Sequence, residues 1–520
     1  MGKIQFPNLR ALPAGPRWLA YGVLLLCAIL VGGVITAYGG MLLVVLMWAV
    51  CMGGLCLLLH FTWQMVFPGQ RVAQDKTFLR SWLAGSAVGV AVIAALVCYR
   101  QTVYSDDAIN YFAKQTLLFG SFGQSGFYGI HVLLESLLMA DYKMFMNLFI
   151  SVPYLFTGRS INAFMVCYAI TCFVPMWFAL LMGAKYLAQQ LPACHTALYY
   201  PLCMAVMVLW PMFLWPATHG MPDAFGLTFA AVIALLCADY RFETLPWPRL
   251  LAIFAATFAL ILTRRWYMFW ILAFYAVYVL AVLVGAVRRK TLGSTLKHML
   301  LFGVPSAVII VGALLPTFKT ILTTDYADIY GAYYGGGFGN NCLGQLRTQG
   351  LIWLVLCAAG LVWLLYCRST RAQAIVAAAA SLGAMVLFTR TQSLGDHQSL
   401  ILAPFYLLML FGLCAKLTQQ KAKPWLRNAA AGVLAVFLVV NFGNALRLPG
   451  KSVQTLALSS ESLDLTRRTD LAQMRAVTDF VLEHCTEDQT VYINMDSNGY
   501  SGTTFAYSDP AHPQLQTMIL

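Results

Sequence analysis

Apolar runs of about twenty residues recur from one end of this chain to the other, and few sequence features restrict a fold more. Each run is long enough to cross a hydrocarbon layer of about 30 Å. Inside lipid the backbone has no water to bond with, so runs of this length must be α-helices that satisfy their own N–H and C=O groups. Thirteen such runs are expected, near 18–37, 41–60, 80–99, 161–183, 197–216, 223–239, 249–263, 267–286, 298–316, 351–366, 372–389, 399–415 and 428–446. Composition agrees: 60% of the 520 residues are apolar and only 10% are charged, against about 25% charged in soluble domains. The expected class is an all-α polytopic membrane protein.

The few charges sort by side. With the N-terminus inside, the inner loops hold 19 of the 33 basic residues but only three acids, Asp75, Asp239 and Glu243. The outer side then carries 14 bases against 17 acids. This is the positive-inside pattern, and an odd number of spans is what preserves it. It places the protein in the cytoplasmic membrane, N-terminus in the cytoplasm and C-terminal tail outside. It also assigns the net charge of +13 to loops facing anionic lipid rather than to nucleic acid. Lys3, Arg10 and Arg17 precede a run long enough to span, which argues against a cleavable signal. Cys27, Cys51, Cys56, Cys167 and Cys172 lie in apolar runs and read as small packing residues. Cys342 and Cys485 fall in outer segments, where a disulfide between them is open.

Three parts follow: a basic segment and hairpin at 1–79, a membrane region at 80–446, and an outer tail at 447–520, either complete or a larger domain cut short. The tail shows helical spacing from Asp470 to His484, with Leu471, Met474, Val477, Val481 and Leu482 on one face, and a strand-like Thr490–Asn494. It is expected to be a small α/β unit. In the first outer loop, 100–160, the stretches Phe127–Met139 and Tyr142–Phe156 read as helices lying in the interface. The third outer loop, 317–350, contains a glycine-rich run from Gly331 to Asn341. It is either a plain loop or a mobile lid, with Tyr333 and Tyr334 able to stack on a sugar or to sit in the interface.

The candidate chemistry gathers at outer boundaries. Asp106 and Asp107 follow the third span, where carboxylates are costly to desolvate. One could act as general base while the other orients it or holds a metal; otherwise both are solvated acids at a helix start, with Ser105 or Asp106 as cap. Arg264 and Arg265 match the geometry of phosphate oxygens, or else snorkel with Trp266 and Tyr267 as interface anchors. Arg390, Asp396, His397 and Gln398 form a polar turn able to bind phosphate, sugar or metal, or merely to cap a helix. His219 and Asp223 flank a turn whose Pro216 and Pro222 are expected to break the adjoining helices; the pair either joins the outer site or serves the turn alone. Asp325, Asp328, Lys319 and Arg347 are weaker candidates. The chain has no nucleotide-binding or hydrolase motif in a workable context, so energy would come from an activated lipid-linked donor.

Taken together, the many spans, the outer tail and Ser105-Asp106-Asp107 in a long outer loop resemble the GT-C superfamily of integral-membrane glycosyltransferases. That superfamily includes oligosaccharyltransferases, protein O-mannosyltransferases and the aminoarabinose transferases of lipid A. The resemblance covers about 80–446. It implies inverting sugar transfer from a polyprenyl-phosphate carrier to an envelope glycan, lipid or protein. It also implies Asp106 or Asp107 as the base and Arg264 and Arg265 as the carrier-phosphate ligands. Metal dependence varies within the superfamily, so no cofactor is implied and a divalent metal stays open. The chain departs from the usual pattern in placing two further spans ahead of the one that leads to the acidic loop. A lipid-linked glycan polymerase or ligase, a transporter or flippase, and a non-catalytic scaffold are the alternatives.

Overall fold

The computed structural model describes residues 40–100, 106–157, 159–323, 336–395, 397–447, 455–460, 463, 467–494, 500–509, 511–512 and 514–519. The expected span at 18–37 lies outside them, and each of the other twelve expected spans coincides with helix. Eight helices are long and apolar enough to cross a membrane, or ten if two bent pairs each count as one span. The eight are α1 (Gly40–Val66), α2 (Lys76–Arg100), α6 (Ile161–Gln190), α11 (Tyr267–Arg289), α12 (Leu292–Ala313), α16 (Arg368–Phe388), α17 (Gln398–Leu417) and α18 (Pro424–Ala445). The bent pairs are α7 (Thr196–Val208) with α8 (Pro211–His219), at 51°, and α14 (Gly337–Gln349) with α15 (Leu351–Tyr366), at 101°. Pro211 opens α8 because its missing N–H and fixed φ suit a first helical position. The expected count of thirteen is therefore not reached among the described residues.

Burial separates the helices by role. In α9 (Asp223–Cys237), thirteen of fifteen residues are buried, which puts it at the centre of the bundle. Helix α12 buries only Thr295 fully and rests Met299, Phe302 and Ile310 against the core, leaving most of its apolar surface outward, as a helix facing lipid does. Neither α9 nor α10 (Trp247–Thr263) is long. At about 1.5 Å per residue they measure roughly 22 and 26 Å, short of the hydrocarbon thickness. Residues at their ends therefore stand within membrane depth or under other protein.

Ion pairs among the described residues respect the two-sided sorting of charge. At the basic end Lys185 pairs with Asp75, Arg249 with Asp239 and Arg289 with Glu243. At the opposite end Arg264 pairs with Asp223, Arg265 with Asp141 and Arg468 with Asp470.

The first outer segment forms α3 (Asp106–Gln124), α4 (Gly126–Leu138) and α5 (Phe145–Leu155). The two expected interface helices exist, but α5 does not lie open on the interface. Met146, Leu148, Phe149 and Ile150 are buried, and Trp48 of α1 donates to the Phe149 carbonyl at 3.0 Å. Part of the glycine-rich loop is also not a loop. Gly337–Gln349 is helical because Asn341, Gln345 and Gln349, four residues apart, face one partner surface and are all buried. Asn341 Oδ1 accepts from Leu394 N, Gln345 Nε2 donates to Ser399 Oγ at 2.6 Å, and Gln349 Oε1 accepts from Trp210 Nε1 at 2.9 Å.

In the tail, α19 (Leu471–His484), α20 (Gly502–Ala506) and α21 (Leu515–Met518) share a small core of Met474, Val481, Phe505, Leu515 and Met518. The inner face of α19 is rotated from the expected one: Thr478 is buried and Val477 is exposed. The expected α/β character is not found, since the strand reduces to one bridge between Val491 and Ile519 and no longer strand occurs among the described residues. Cys342 and Cys485 are free thiols, so the disulfide is absent.

Candidate active site

Helix α10 ends at Thr263, and Arg264 leaves it with an extended backbone (φ −156°, ψ 127°) before α11 restarts at Tyr267. That break turns the Arg264 side chain into the protein. It is 7% exposed, and its partner Asp223, at the start of α9, is fully buried. The Arg264 Nε donates to Asp223 Oδ1 at 3.2 Å and Nη1 donates to the Tyr111 hydroxyl at 2.7 Å. Its guanidinium also stands 5.3 Å from the Tyr111 ring centroid and 5.8 Å from that of Tyr142, within cation–π range. Tyr267 Oη donates to the Asp223 carbonyl at 2.6 Å. This approach requires Gly226, where a Cβ would stand 2.1 Å from the Tyr267 ring.

Asp223 itself is placed by a turn. Gly220 takes a left-handed conformation (φ 71°) that ends α8, and Pro222 precedes Asp223. Asp223 Oδ2 has no hydrogen-bond partner among the described residues. A buried carboxylate with one oxygen unsatisfied is costly and marks this corner as more than a structural joint.

Arg265 points to the other side of the break and pairs with Asp141. Next to Asp141, Lys143 is 2% exposed. Its Nζ donates to the Leu137 carbonyl at 2.7 Å and to Thr317 Oγ1 at 3.1 Å, tying the first outer segment to α13 (Leu315–Thr323). Burial, opposed by Asp141 and reinforced by Arg265, lowers the Lys143 ammonium to about 8. Trp266 and Tyr267 are buried, 8% and 0% exposed, so they are not the lipid-facing anchors of the snorkelling alternative.

Asp106 and Asp107 open α3, and Asp107 precedes Tyr111 by one helical turn, about 6 Å of rise. The helix is fixed from beneath: Asn147 Nδ2 donates to the Tyr111 carbonyl at 2.9 Å and to Gln115 Oε1 at 3.1 Å, and Gln115 Nε2 donates to Ser151 Oγ at 3.2 Å. The tail reaches the same helix, with Tyr507 edge-on to Phe112 at 5.5 Å. The Asp106 and Asp107 side chains, and Asp396, Tyr333, Tyr334, Asp325 and Asp328, lie outside the described residues.

The remaining candidates divide. His219 stacks on Trp215 at 4.0 Å, and Trp215 stacks on His397 at 5.8 Å, so the second and fourth outer segments meet through three parallel rings. His219 Nδ1 also lies 2.7 Å from the Trp215 carbonyl. Arg390 is exposed, with no side-chain partner among the described residues. Gln398 starts the 3₁₀ turn leading into α17, and neither joins the Arg264 corner. Lys319 and Arg347 are exposed. Among the described residues no three His, Cys, Asp or Glu side chains come together as a metal site would need.

This architecture matches a known one. A crystal structure of ArnT from Cupriavidus metallidurans bound to undecaprenyl phosphate superposes with a TM-score of 0.50, over 82% of this chain and 84% of that chain, at 13% sequence identity. The fold is ArnT-like. No protein-family model and no curated protein matches the chain, so the likeness is one of architecture. Within this ArnT-like frame the corner includes residues the sequence did not single out: Tyr111, Asp141, Tyr142 and Lys143. The Asp141-Tyr142-Lys143 triplet, interrupting an apolar outer segment, is the signal that could have found three of them.

Proposed function

We propose that the protein is a membrane glycosyltransferase. It takes a sugar from a polyprenyl-phosphate carrier and passes it to an envelope glycan, lipid or protein on the outer side of the cytoplasmic membrane. The observation that carries this reading is the shared fold with ArnT, a protein solved with a polyprenyl phosphate bound, together with a buried arginine corner at the end opposite the basic loops. Asp107, with Asp106 beside it, would accept the proton of the acceptor hydroxyl. Arg265 would meet the carrier phosphate as it departs, with Arg264 holding Tyr111 and the start of α3 in place. Inversion follows if the acceptor attacks the anomeric carbon directly, opposite the leaving phosphate. The polar ring stack of His219, Trp215 and His397 offers an aromatic face for a sugar.

The test is sugar transfer, or release of carrier phosphate, by purified protein in lipid with a panel of polyprenyl-phosphate sugars. Asp107→Asn should lower turnover by at least about a hundredfold, the usual scale for losing a general base, while leaving the thermal unfolding temperature unchanged. Turnover equal to wild type would remove Asp107 from the role. Lipid movement across the bilayer without transfer would favour transport. A product carrying many sugar units would instead favour a polymerase.

A further inference from the structure

At the basic end of the bundle, α6, α9, α11, α16 and α17 part around a cleft of about 730 Å³, within the usual range of ligand sites. One wall is an aromatic ladder on α11. Trp270 stacks on Phe274 at 4.8 Å and Phe274 on Tyr278 at 5.9 Å, with the three rings nearly parallel. Facing it, α16 presents Ala377 and Ala380, whose short side chains leave the space open. A slot between an aromatic wall and a wall of methyl groups suits a flexible hydrocarbon chain, which gains dispersion contacts that a void would forfeit.

The mouth carries charge. Asp239, Arg241 and Arg289 line it. Asp239 is held by Arg249 at 2.6 Å and Arg289 by Glu243 at 2.5 Å, so those charges close on one another. Arg241 is exposed and has no side-chain partner among the described residues. With Arg288 and Lys290 adjacent in sequence, cations outnumber acids here, and an anion is the complementary ligand. The Arg264 corner lies at the other end of α9, roughly 21 Å away by helix rise, so this site is separate from the proposed transfer centre.

We propose that the cleft holds one acyl chain of an anionic phospholipid drawn from the leaflet at the basic end, with the phosphate over Arg241. The lipid would brace five helices whose opposite ends carry the Arg264 corner and its neighbours. The proposal does not depend on the chemistry of that corner.

Native mass spectrometry of the full chain released from bilayer discs tests this, with phosphatidylglycerol competing against phosphatidylcholine. One phosphatidylglycerol should be retained per chain, favoured by about fivefold, the scale of one arginine at an anionic surface. Arg241→Glu, at an exposed position, should abolish the preference. Ala377→Phe should block retention of either lipid while the unfolding temperature in detergent holds. Equal retention of the two lipids by wild type would overturn the proposal. So would retention unaffected by both variants, or preferred retention of undecaprenyl phosphate with the same dependence on Arg241 and Ala377.

Discussion

The two ends of the bundle handle charge in opposite ways. At the basic end, Arg249–Asp239 and Arg289–Glu243 tie the ends of α10 and α11 to the connection that follows α9, with carboxylates that remain substantially exposed. Water reaches both carboxylates, and such pairs are worth little; the buried Lys185 with Asp75 is the exception at this end. At the other end, Arg264 and Asp223 are both buried, the arginine boxed by Tyr111 and Tyr142, and one carboxylate oxygen is left unsatisfied. Burying charge is costly even when it is paired. A fold needing only a loop joint would use the cheaper arrangement seen at the basic end. The difference teaches that the Arg264 corner is kept for something other than stability, and that its parts should respond to mutation far more strongly.

The sharpest way to break the comparison is to remove one partner of each pair. Arg264→Met leaves Asp223 buried without its cation and should cost about 3–5 kcal/mol. It should also abolish transfer, read as loss of carrier-phosphate release at a temperature where the variant is still folded by circular dichroism. A loss under 1 kcal/mol would mean that water reaches Asp223 and that the two ends are alike after all.

Tyr111→Phe is a finer cut. It deletes only the hydroxyl that accepts from Arg264 Nη1 at 2.7 Å and keeps the ring. A hydrogen bond to a charged group is worth about 1.5–3 kcal/mol, so chemical denaturation should show a loss in that range. If Arg264 serves to place the start of α3, turnover should fall more than the apparent affinity for the carrier.

How much of this was legible beforehand depends on distance along the chain. Spans were legible because hydrocarbon thickness fixes their length and apolarity, and the sorting of charge between two ends was legible because three acids among 19 bases leave a strong bias. Arg264 and Asp223 stood out as charges beside apolar runs. Tyr111 did not, because tyrosines are common at membrane boundaries and its contact with Arg264 spans 153 positions. The helix at Gly337–Gln349 was hidden by its glycines, which disfavour helix locally; amide side chains paired with distant segments outweigh that preference. The expected tail strand failed for the converse reason, since among the described residues the β-branched stretch Thr490–Asn494 makes a single bridge, from Val491 to Ile519.

Two buried lysines allow a pH test of the same contrast. Lys185 at the basic end meets the carboxylate of Asp75, whereas Lys143 meets only a carbonyl and a hydroxyl. Burial therefore lowers Lys143 to about 8 from its ordinary 10.5, against the pull of Asp141 and with the push of Arg265. Below about pH 8 the lysine is charged in both states and the burial penalty is felt in full. Between there and 10.5 the unfolded chain binds more protons than the folded one, so stability should rise with pH. The difference in unfolding temperature between wild type and Lys143→Met should move in favour of wild type over that interval, and a flat difference would show that the Lys143 ammonium is solvated.

The smallest effect is expected at the basic end. Glu243→Gln removes the carboxylate facing Arg289 while keeping its shape. Both side chains are partly exposed, 32% for the arginine and 40% for the glutamate, so water replaces the lost partner at little cost. The expected loss is under about 1 kcal/mol, shrinking further as salt is raised, with transfer unchanged because the pair lies at the far end of the bundle from Arg264. A loss as large as that of Arg264→Met would show that the basic-end loops are as tightly coupled to the core as the outer corner. The contrast between the two ends would then reflect exposure in the ground state alone, not a division of labour.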